Sequence, residues 1–340
     1  MEFFEFSNFD YSNWQRPEHK VIKDDALRET VYKKGYVVIE KFINQQVTDQ
    51  ILSFYENNHS IEAKNGGMFV SIYSKDLSYR LNIHNELSKK LGTLIDQIFD
   101  GHKSNGYNFI VKYPGTRSEM FLHQDMPFVD EMRYSEVGVW LPLQAVREEN
   151  GCMGIIPNTH FSIPPTRSLH NELPYSSIYE SLTEHIVPLC LNAGDLLLYD
   201  PRLVHNSFQN KSAKPRIAIA TRMSPAEADY IITYKDENDP SGQFEQIKVE
   251  DDFFLTFDDF ISGKIKRPTG QLLGHVKIKD NLVDSKEFLE FCKITGIQKR
   301  VRAITNGPHL DSVSITEPRH QENKTKFSFR NLVSNLIKFK

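Results

Sequence analysis

Cysteine is scarce in this chain and poorly spaced for chemistry. The 340 residues hold three cysteines, at positions 152, 190 and 292. The number is odd and no C-x-x-C occurs, so neither a disulfide framework nor a zinc site is expected, and a reducing compartment fits. Long apolar runs are also missing. No stretch approaches the roughly eighteen residues that a membrane-spanning helix needs. The opening segment, MEFFEFSNFDYSNW, lacks the positive start and apolar run of a signal peptide. The last residues, Lys338-Phe339-Lys340, are not a peroxisomal address. A cytoplasmic location is the resulting expectation. Basic excess is absent as well. Lys plus Arg number 41 against 45 Asp plus Glu, a net charge of −4, which gives no electrostatic ground for a nucleic-acid partner. No internal repeat is found.

What is present points to a packed globular chain. A hydrophobic content of 39% with 11% aromatics supports a core rather than disorder. The N-terminal third reads as helical. Asp24 or Asp25 can cap a helix to Lys34, with Gly35 as its stop, and Tyr36–Ile39 follows as a strand. Asn44 can open a second helix, with Val47, Ile51 and Tyr55 at four-residue spacing. Leu87, Leu91, Leu94, Ile95 and Ile98 mark a third, ended by Gly101. The texture then becomes β. Short strands are expected at Asn108–Tyr113, Met120–Asp125, Cys152–Ile156, Ile186–Leu191, Leu196–Tyr199 and Arg216–Met223, separated by Gly, Pro, Asn and Asp clusters. Val137, Val139, Leu141 and Leu143 alternate with Gly138, Trp140 and Pro142 on the other face. Many short strands after helices imply an antiparallel double-sheet barrel with helices outside.

His123-Gln124-Asp125 is the most informative tripeptide, because a further histidine, His205, follows Asp200-Pro201. On a strand, residues two apart share a face, so His123 and Asp125 would meet one interior point while Gln124 points away. The Asp200-Pro201 turn would set the start of a strand that brings His205 opposite that pair. Two imidazoles and a carboxylate on one face of a divalent ion leave up to three positions open, which suits Fe(II) and dioxygen. Ser207 has the parity of His205. Arg216, eleven positions after His205, can bind the distal carboxylate of a 2-oxo acid in bidentate fashion. Its same-face neighbours, Ala218 and Ala220, are small and leave room for such a ligand. Together these residues suggest Fe(II) and 2-oxoglutarate as the metal and cosubstrate. Each alone has a plainer reading: a core or surface histidine, an ion-pair arginine, a turn serine, a core Trp140. The other candidate histidines (102, 160, 170, 185, 275, 309 and 320) have no matching partner pattern.

The motifs at 123–125, at 150–160 (NGCMGIIPNTH) and at 194–207 (GDLLLYDPRLVHNS), with Arg216 after them, resemble the phytanoyl-CoA dioxygenase family of Fe(II)- and 2-oxoglutarate-dependent oxygenases. The likeness covers about residues 30–222. It implies a mainly β fold with flanking helices, built on a double-stranded β-helix (jelly-roll, cupin-like) core. It also implies that His123, Asp125 and His205 bind iron, that Arg216 binds the far carboxylate of 2-oxoglutarate, and that Ser207 and Trp140 line the cosubstrate pocket. Asn158-Thr159 stands where the family has Gly-Ser. Because Asp125 is retained, where related halogenases lack the carboxylate, the likeness implies hydroxylation or desaturation. The substrate would be a small-molecule metabolite, such as an amino acid, an acyl thioester or a natural-product intermediate, with O2 as oxidant.

The expected organisation is a core with N-terminal helices over residues 1–230, a C-terminal elaboration over 231–305 with a strand at Gln243–Val249 and a helix at Phe253–Ile261, and a polar, basic tail over 306–340. Arg133 and Arg167 lie on long loops and read first as solvated charges. The aromatic start (Phe3, Phe4, Phe6, Phe9, Tyr11, Trp14) reads as an arm packed on the barrel or across a homodimer. A tail helix carrying Phe329, Leu332, Val333, Leu336 and Ile337 would dock or fray rather than bind a membrane. The rival classes are a cupin-like metal enzyme without oxygen chemistry and a non-catalytic jelly-roll binding protein.

Overall fold

A computed structural model of the chain describes residues 16–60, 67–161, 167–168, 175–236, 242–257, 267–277, 283–297 and 299. The aromatic start and the basic tail lie outside them.

The N-terminal helices form where the caps lie. In α1 (Asp25–Lys34), the Asp24 side chain accepts from Leu27 N at 2.8 Å, and Gly35 ends the helix at φ +84°. Gly35 is required twice over. Its backbone is left-handed, and a Cβ there would sit 2.7 Å from His160 Nδ1 and 2.8 Å from Leu203 Cδ1. After β1 (Tyr36–Ile39) comes α2 (Gln45–Asn57), capped by Asn44 with Ile51 and Tyr55 buried. A short β2 (Met68–Val70) precedes α3 (Leu77–Ile98). This helix starts well before the leucine repeat, under an Asp76 cap, and buries Ile83, Leu87, Leu91 and Ile95. It ends at Ile98; Gly101, at φ +53°, belongs to the turn beyond rather than to the cap.

The strands follow as β3 (His102–Ser104), β4 (Asn108–Lys112), β5 (Met120–His123), β6 (Val137–Pro142) and β7 (Met153–Ile155). A short α4 (Tyr179–Thr183) precedes β8 (Val187–Leu189), β9 (Leu196–Tyr199), β10 (His205–Ser207) and β11 (Arg216–Pro225). They build two antiparallel sheets. The larger runs β1-β9-β6-β11-β4-β2, with β3 also on β11; the smaller runs β5-β10-β7-β8. This is the double-stranded β-helix with flanking helices.

The larger sheet is covered on both faces, so β6 is buried at every position. Val137, Val139 and Leu141 pack with Ile217 and Ile219 of β11 and with α1–α3 in one core. Each such side chain contributes roughly 1.5–3 kcal/mol by leaving water. The alternate residues, Trp140 of β6 and Ala218 and Ala220 of β11, pack in a separate cluster on the inner face. The expected alternation of β6 is thus observed, with the two faces buried against different partners.

The chain then forms a third sheet of β12 (Tyr230–Tyr234), β13 (Phe244–Val249) and β14 (Gln271–Val276). Between β13 and β14 lies α5 (Phe253–Thr256), and α6 (Ser285–Thr295) follows. The helix expected over Phe253–Ile261 ends at Thr256, where Phe257 caps it with an extended ψ of 139°; residues 258–261 lie outside the described residues. Tyr230, Ile232, Ile247 and Phe254 pack on Ile72, Met126 and Val129, while Phe288 and Phe291 of α6 pack on Leu122, Ile156 and Val204.

Candidate metal centre and active site

His123 closes β5 and His205 opens β10. They are direct register partners across the antiparallel pair, with ring centroids 4.2 Å apart. His205 therefore comes from the neighbouring strand of the same sheet. Each ring is oriented by the carbonyl two residues before it. His123 Nδ1 lies 2.8 Å from the Phe121 oxygen, and His205 Nδ1 lies 2.8 Å from the Leu203 oxygen. A carbonyl only accepts, so each Nδ1 carries the proton and each Nε2 presents a lone pair. Both Nε2 atoms face Asp125 Oδ1, at 3.7 Å from His123 and 3.8 Å from His205. Those separations are too long for hydrogen bonds. Donor atoms of the three residues all lie within 4.8 Å of one another. Imidazole nitrogen and carboxylate oxygen bind a divalent ion such as zinc at about 2.0–2.2 Å, so the His123–Asp125 and His205–Asp125 pairs, at 3.7 and 3.8 Å, are each spaced to share an ion.

The shared strand face expected for His123 and Asp125 is not what positions the carboxylate. β5 ends at His123. Asp125 lies beyond it and is fixed by hydrogen bonds. Its N–H donates to Pro201 O at 3.0 Å, and its own carbonyl accepts from Arg167 Nε at 2.9 Å. Gln124 turns away, buried, and its amide donates to Arg202 O. The Asp200-Pro201 turn thus props the Gln124-Asp125 segment as well as leading into β10. Asp200 is itself buried, held by Arg202 and His19. On the side chain of Asp125, Oδ2 lies 3.0 Å from the Tyr199 hydroxyl and 3.0 Å from an Arg222 terminal nitrogen. Burial works to raise its pKa, but Arg222, His205 and His123 outweigh it and hold the carboxyl at about 2. Burial, with His205 beside it, holds the His123 imidazole down at about 4. Near neutral pH, Asp125 is ionised and His123 is neutral, the states that bind a metal.

Arg216 opens β11 and is buried. One terminal nitrogen donates to Ile110 O at 3.3 Å, and the guanidinium lies 5.3 Å from the Trp140 ring centroid. Its Nε is buried without a hydrogen-bond partner. Among the described residues no carboxylate pairs with it, and burial lowers its pKa to about 9. A buried cation left in this state is costly until an anion reaches it. Ser207 and Trp140 are also buried. Together with His123, Asp125, His205 and Arg216, they line one cavity of about 210 Å³ between the two sheets. All six residues singled out in the sequence therefore meet at one place.

A family profile, phytanoyl-CoA dioxygenase (PhyH), matches residues 31–218, more than half of the chain. The chain belongs to the PhyH family. Similar curated relatives include phytanoyl-CoA dioxygenase 1 of Oryza sativa subsp. japonica, 32% identical over 122 residues, covering 35% of this chain and 43% of that protein. The peroxisomal phytanoyl-CoA dioxygenase of Homo sapiens is 29% identical over 118 residues, covering 32% of this chain and 35% of that one. The match thus spans less than half the length of these relatives. Among solved structures, the non-heme alpha-ketoglutarate-dependent epimerase SnoN from nogalamycin biosynthesis aligns with TM-score 0.44 and 18% identity, over 61% of this chain and 84% of that one. HygX from Streptomyces hygroscopicus, crystallised with nickel, 2-oxoglutarate and hygromycin B, aligns with TM-score 0.44 and 13% identity, over 60% of this chain and 88% of that one.

This PhyH chain departs from the family's Gly-Ser at Asn158-Thr159, and the backbone shows why the change is tolerated. Asn158 has φ +65°, a left-handed conformation that asparagine adopts more readily than most residues. Its side chain donates to Thr295 O at 2.9 Å. The Thr159 hydroxyl accepts from Val204 N at 2.8 Å, beside the strand that carries His205.

The sequence reading missed four residues around the carboxylate. Tyr199 and Arg222 contact it directly. Glu136 pairs with Arg222 at 3.4 Å, and Arg222 lies 4.0 Å from the Phe128 ring centroid. Glu131 takes Arg167 in a two-bond pair, at 2.6 and 3.0 Å. Arg167, expected as a solvated loop charge, is therefore a buried clamp on the Asp125 backbone; Arg133 is exposed. A signal for Arg222 was available, because it shares the inward face of β11 with Arg216, Ala218 and Ala220. Gly138 was another. A Cβ there would sit 2.3 Å from the Tyr199 ring, so only glycine lets that ring stand beside Asp125.

Proposed function

We propose that this chain is a non-haem Fe(II)- and 2-oxoglutarate-dependent dioxygenase that hydroxylates an unactivated C–H bond of a small-molecule metabolite. The overall change converts substrate, 2-oxoglutarate and O2 to hydroxylated product, succinate and CO2. The observation that carries this reading is the meeting of two imidazole nitrogens and one carboxylate oxygen in the same cavity as a buried guanidinium with no carboxylate partner among the described residues. The donor set fits Fe(II), and the cation fits the distal carboxylate of a 2-oxo diacid. Bound there, Fe(II) supplies dioxygen activation, with 2-oxoglutarate as the source of two electrons.

The protein's own residues do the positioning. The carbonyls of Phe121 and Leu203 keep both Nε2 lone pairs on the site. Asp125 contributes Oδ1. Arg216, beside the Trp140 ring, would hold the far carboxylate of the cosubstrate, and the small Ala220 leaves room in the cavity. Ser207 lines the same pocket, with its carbonyl taken by Lys112 at 2.8 Å. The mostly apolar walls, among them Met153, Ile110 and Phe128, exclude water from the reacting bond.

Two rival readings, a cupin-like metal enzyme without oxygen chemistry and a binding jelly roll, leave Arg216 without a purpose. One measurement separates all three. Fe(II) plus 2-oxoglutarate, added without oxygen, should give a weak visible charge-transfer band that neither component gives alone. The absence of any band at saturating Fe(II) and 2-oxoglutarate would remove the proposal. A succinate-release screen across amino acids, acyl thioesters and hydrophobic metabolites then finds the substrate class.

A further inference from the structure

The two carboxylate oxygens of Asp125 have different surroundings. Among the described residues, Oδ1 faces the two imidazole Nε2 atoms, at 3.7 and 3.8 Å. Oδ2 is engaged twice, by the Tyr199 hydroxyl at 3.0 Å and by Arg222 at 3.0 Å. Arg222 is anchored in turn. It is buried, its other terminal nitrogen donates to Met126 O at 2.5 Å and lies 3.4 Å from Glu136 Oε2, and its plane lies over Phe128. Glu136 is held too, accepting from Phe128 N at 2.8 Å and from the Ser224 hydroxyl at 2.8 Å. A carboxylate binds an ion through one oxygen or through both. Which mode it uses decides how many positions the ion keeps open.

We propose that Arg222, together with Tyr199, is a positioning residue that restricts Asp125 to one-oxygen ligation and so keeps a coordination position free for the cosubstrate. This rests on the metal reading above. Swinging Oδ2 onto the ion would break the Tyr199 hydrogen bond and would separate the buried Arg222 from one of the two carboxylates it pairs with. Tyr199 and Arg222 approach the same oxygen from different strands, β9 and β11, so neither β5 nor its loop need be rigid for the mode to hold. Gly138 belongs to the same device, since it makes room for the Tyr199 ring.

The test uses Co(II) as a spectroscopic probe in the full chain without oxygen, followed by titration with 2-oxoglutarate. Three variants are compared with the wild type: Tyr199→Phe, which removes one hydroxyl; Arg222→Lys, which keeps the charge but loses the fork; and Arg222→Leu. Freed to chelate with both oxygens, Asp125 should hold Co(II) as tightly as before or more tightly. The 2-oxoglutarate dissociation constant should rise about tenfold in Arg222→Leu, at the lower end for changes around metal ligands, and less in Arg222→Lys and Tyr199→Phe. The Co(II) visible bands should shift in the same order. If Arg222→Leu does not fold, the other two variants decide. Wild-type bands and wild-type 2-oxoglutarate affinity in both would overturn the proposal. So would parallel losses of Co(II) and 2-oxoglutarate affinity, which would mark a merely structural role. Failure of the wild type to bind Co(II), or binding unaffected by His123→Ala, would instead overturn the metal reading itself.

Discussion

Arg216 and Arg222 occupy the same inward face of β11, six residues apart, and both are buried. Their surroundings make them different groups. Arg222 is divided between Asp125 and Glu136, and those carboxylates raise its pKa against the desolvation that would lower it. Arg216 has a backbone carbonyl and an aromatic ring, and burial leaves it at about 9. A buried cation whose charge is neutralised within the protein is part of the scaffold. One whose charge is not neutralised marks where a ligand anion belongs. Burial and residue type alone would have equated them.

The contrast can be broken most severely at the carboxylate between the imidazoles. Asp125→Ala should cut substrate-coupled succinate release at least about a hundredfold, the upper end seen when residues around a metal ligand are changed. Undiminished release would show that the ion is held elsewhere. Next comes stability without metal. Arg222→Leu strands the buried Glu136 and the half-buried Asp125 and should cost about 3–5 kcal/mol, whereas Arg216→Leu removes a buried charge with no carboxylate partner among the described residues and should be neutral or stabilising. Urea denaturation of the two variants reads the sign directly, and equal losses would abolish the distinction. A third consequence concerns the cosubstrate. Arg216→Leu should raise the KM for 2-oxoglutarate roughly tenfold to a hundredfold, as expected for a charged hydrogen bond of about 1.5–3 kcal/mol, while leaving Fe(II) affinity nearly unchanged. An unchanged KM would place the anchor elsewhere. The smallest effect probes closure around Arg216. Burial pushes the Cys152 thiol up to about 12, while Cys190 is exposed. Iodoacetamide at mildly alkaline pH should label Cys190 and spare Cys152 by mass spectrometry. Labelling of Cys152 in the folded protein would mean that this side of the pocket is open.

What the sequence made readable follows from how local each signal is. Asp24, Asn44 and Gly35 are caps whose partners lie three or four residues away, so α1 and α2 could be placed closely. The inward parity of Arg216, Ala218 and Ala220 is a property of one strand, and it held. His123 and Asp125 were correctly paired for a reason that does not apply, because the carboxylate lies past the strand and is fixed by Pro201, Tyr199, Arg167 and Arg222. Those partners lie 42 to 97 positions away, and no periodicity encodes them. Arg167 was misjudged for the same cause, since Glu131 is 36 residues distant. The α6 helix was a different kind of miss. Its capping box, Asp284 with Glu287, and its Gly296 stop stand in plain sequence. The apolar residues Phe288, Phe291 and Cys292 bury one stripe beneath it.

The alternation along β11 separates two kinds of inheritance. Ile217 and Ile219 answer to the helices outside, so changes there should register as melting temperature. Arg216 and Ala220 answer to the cavity, so changes there should register as selectivity or turnover. A single strand thus lets the chemistry of the chamber drift without the scaffold drifting with it, and a library confined to its inward positions would explore new reactions at little risk of unfolding wherever it spares Arg222.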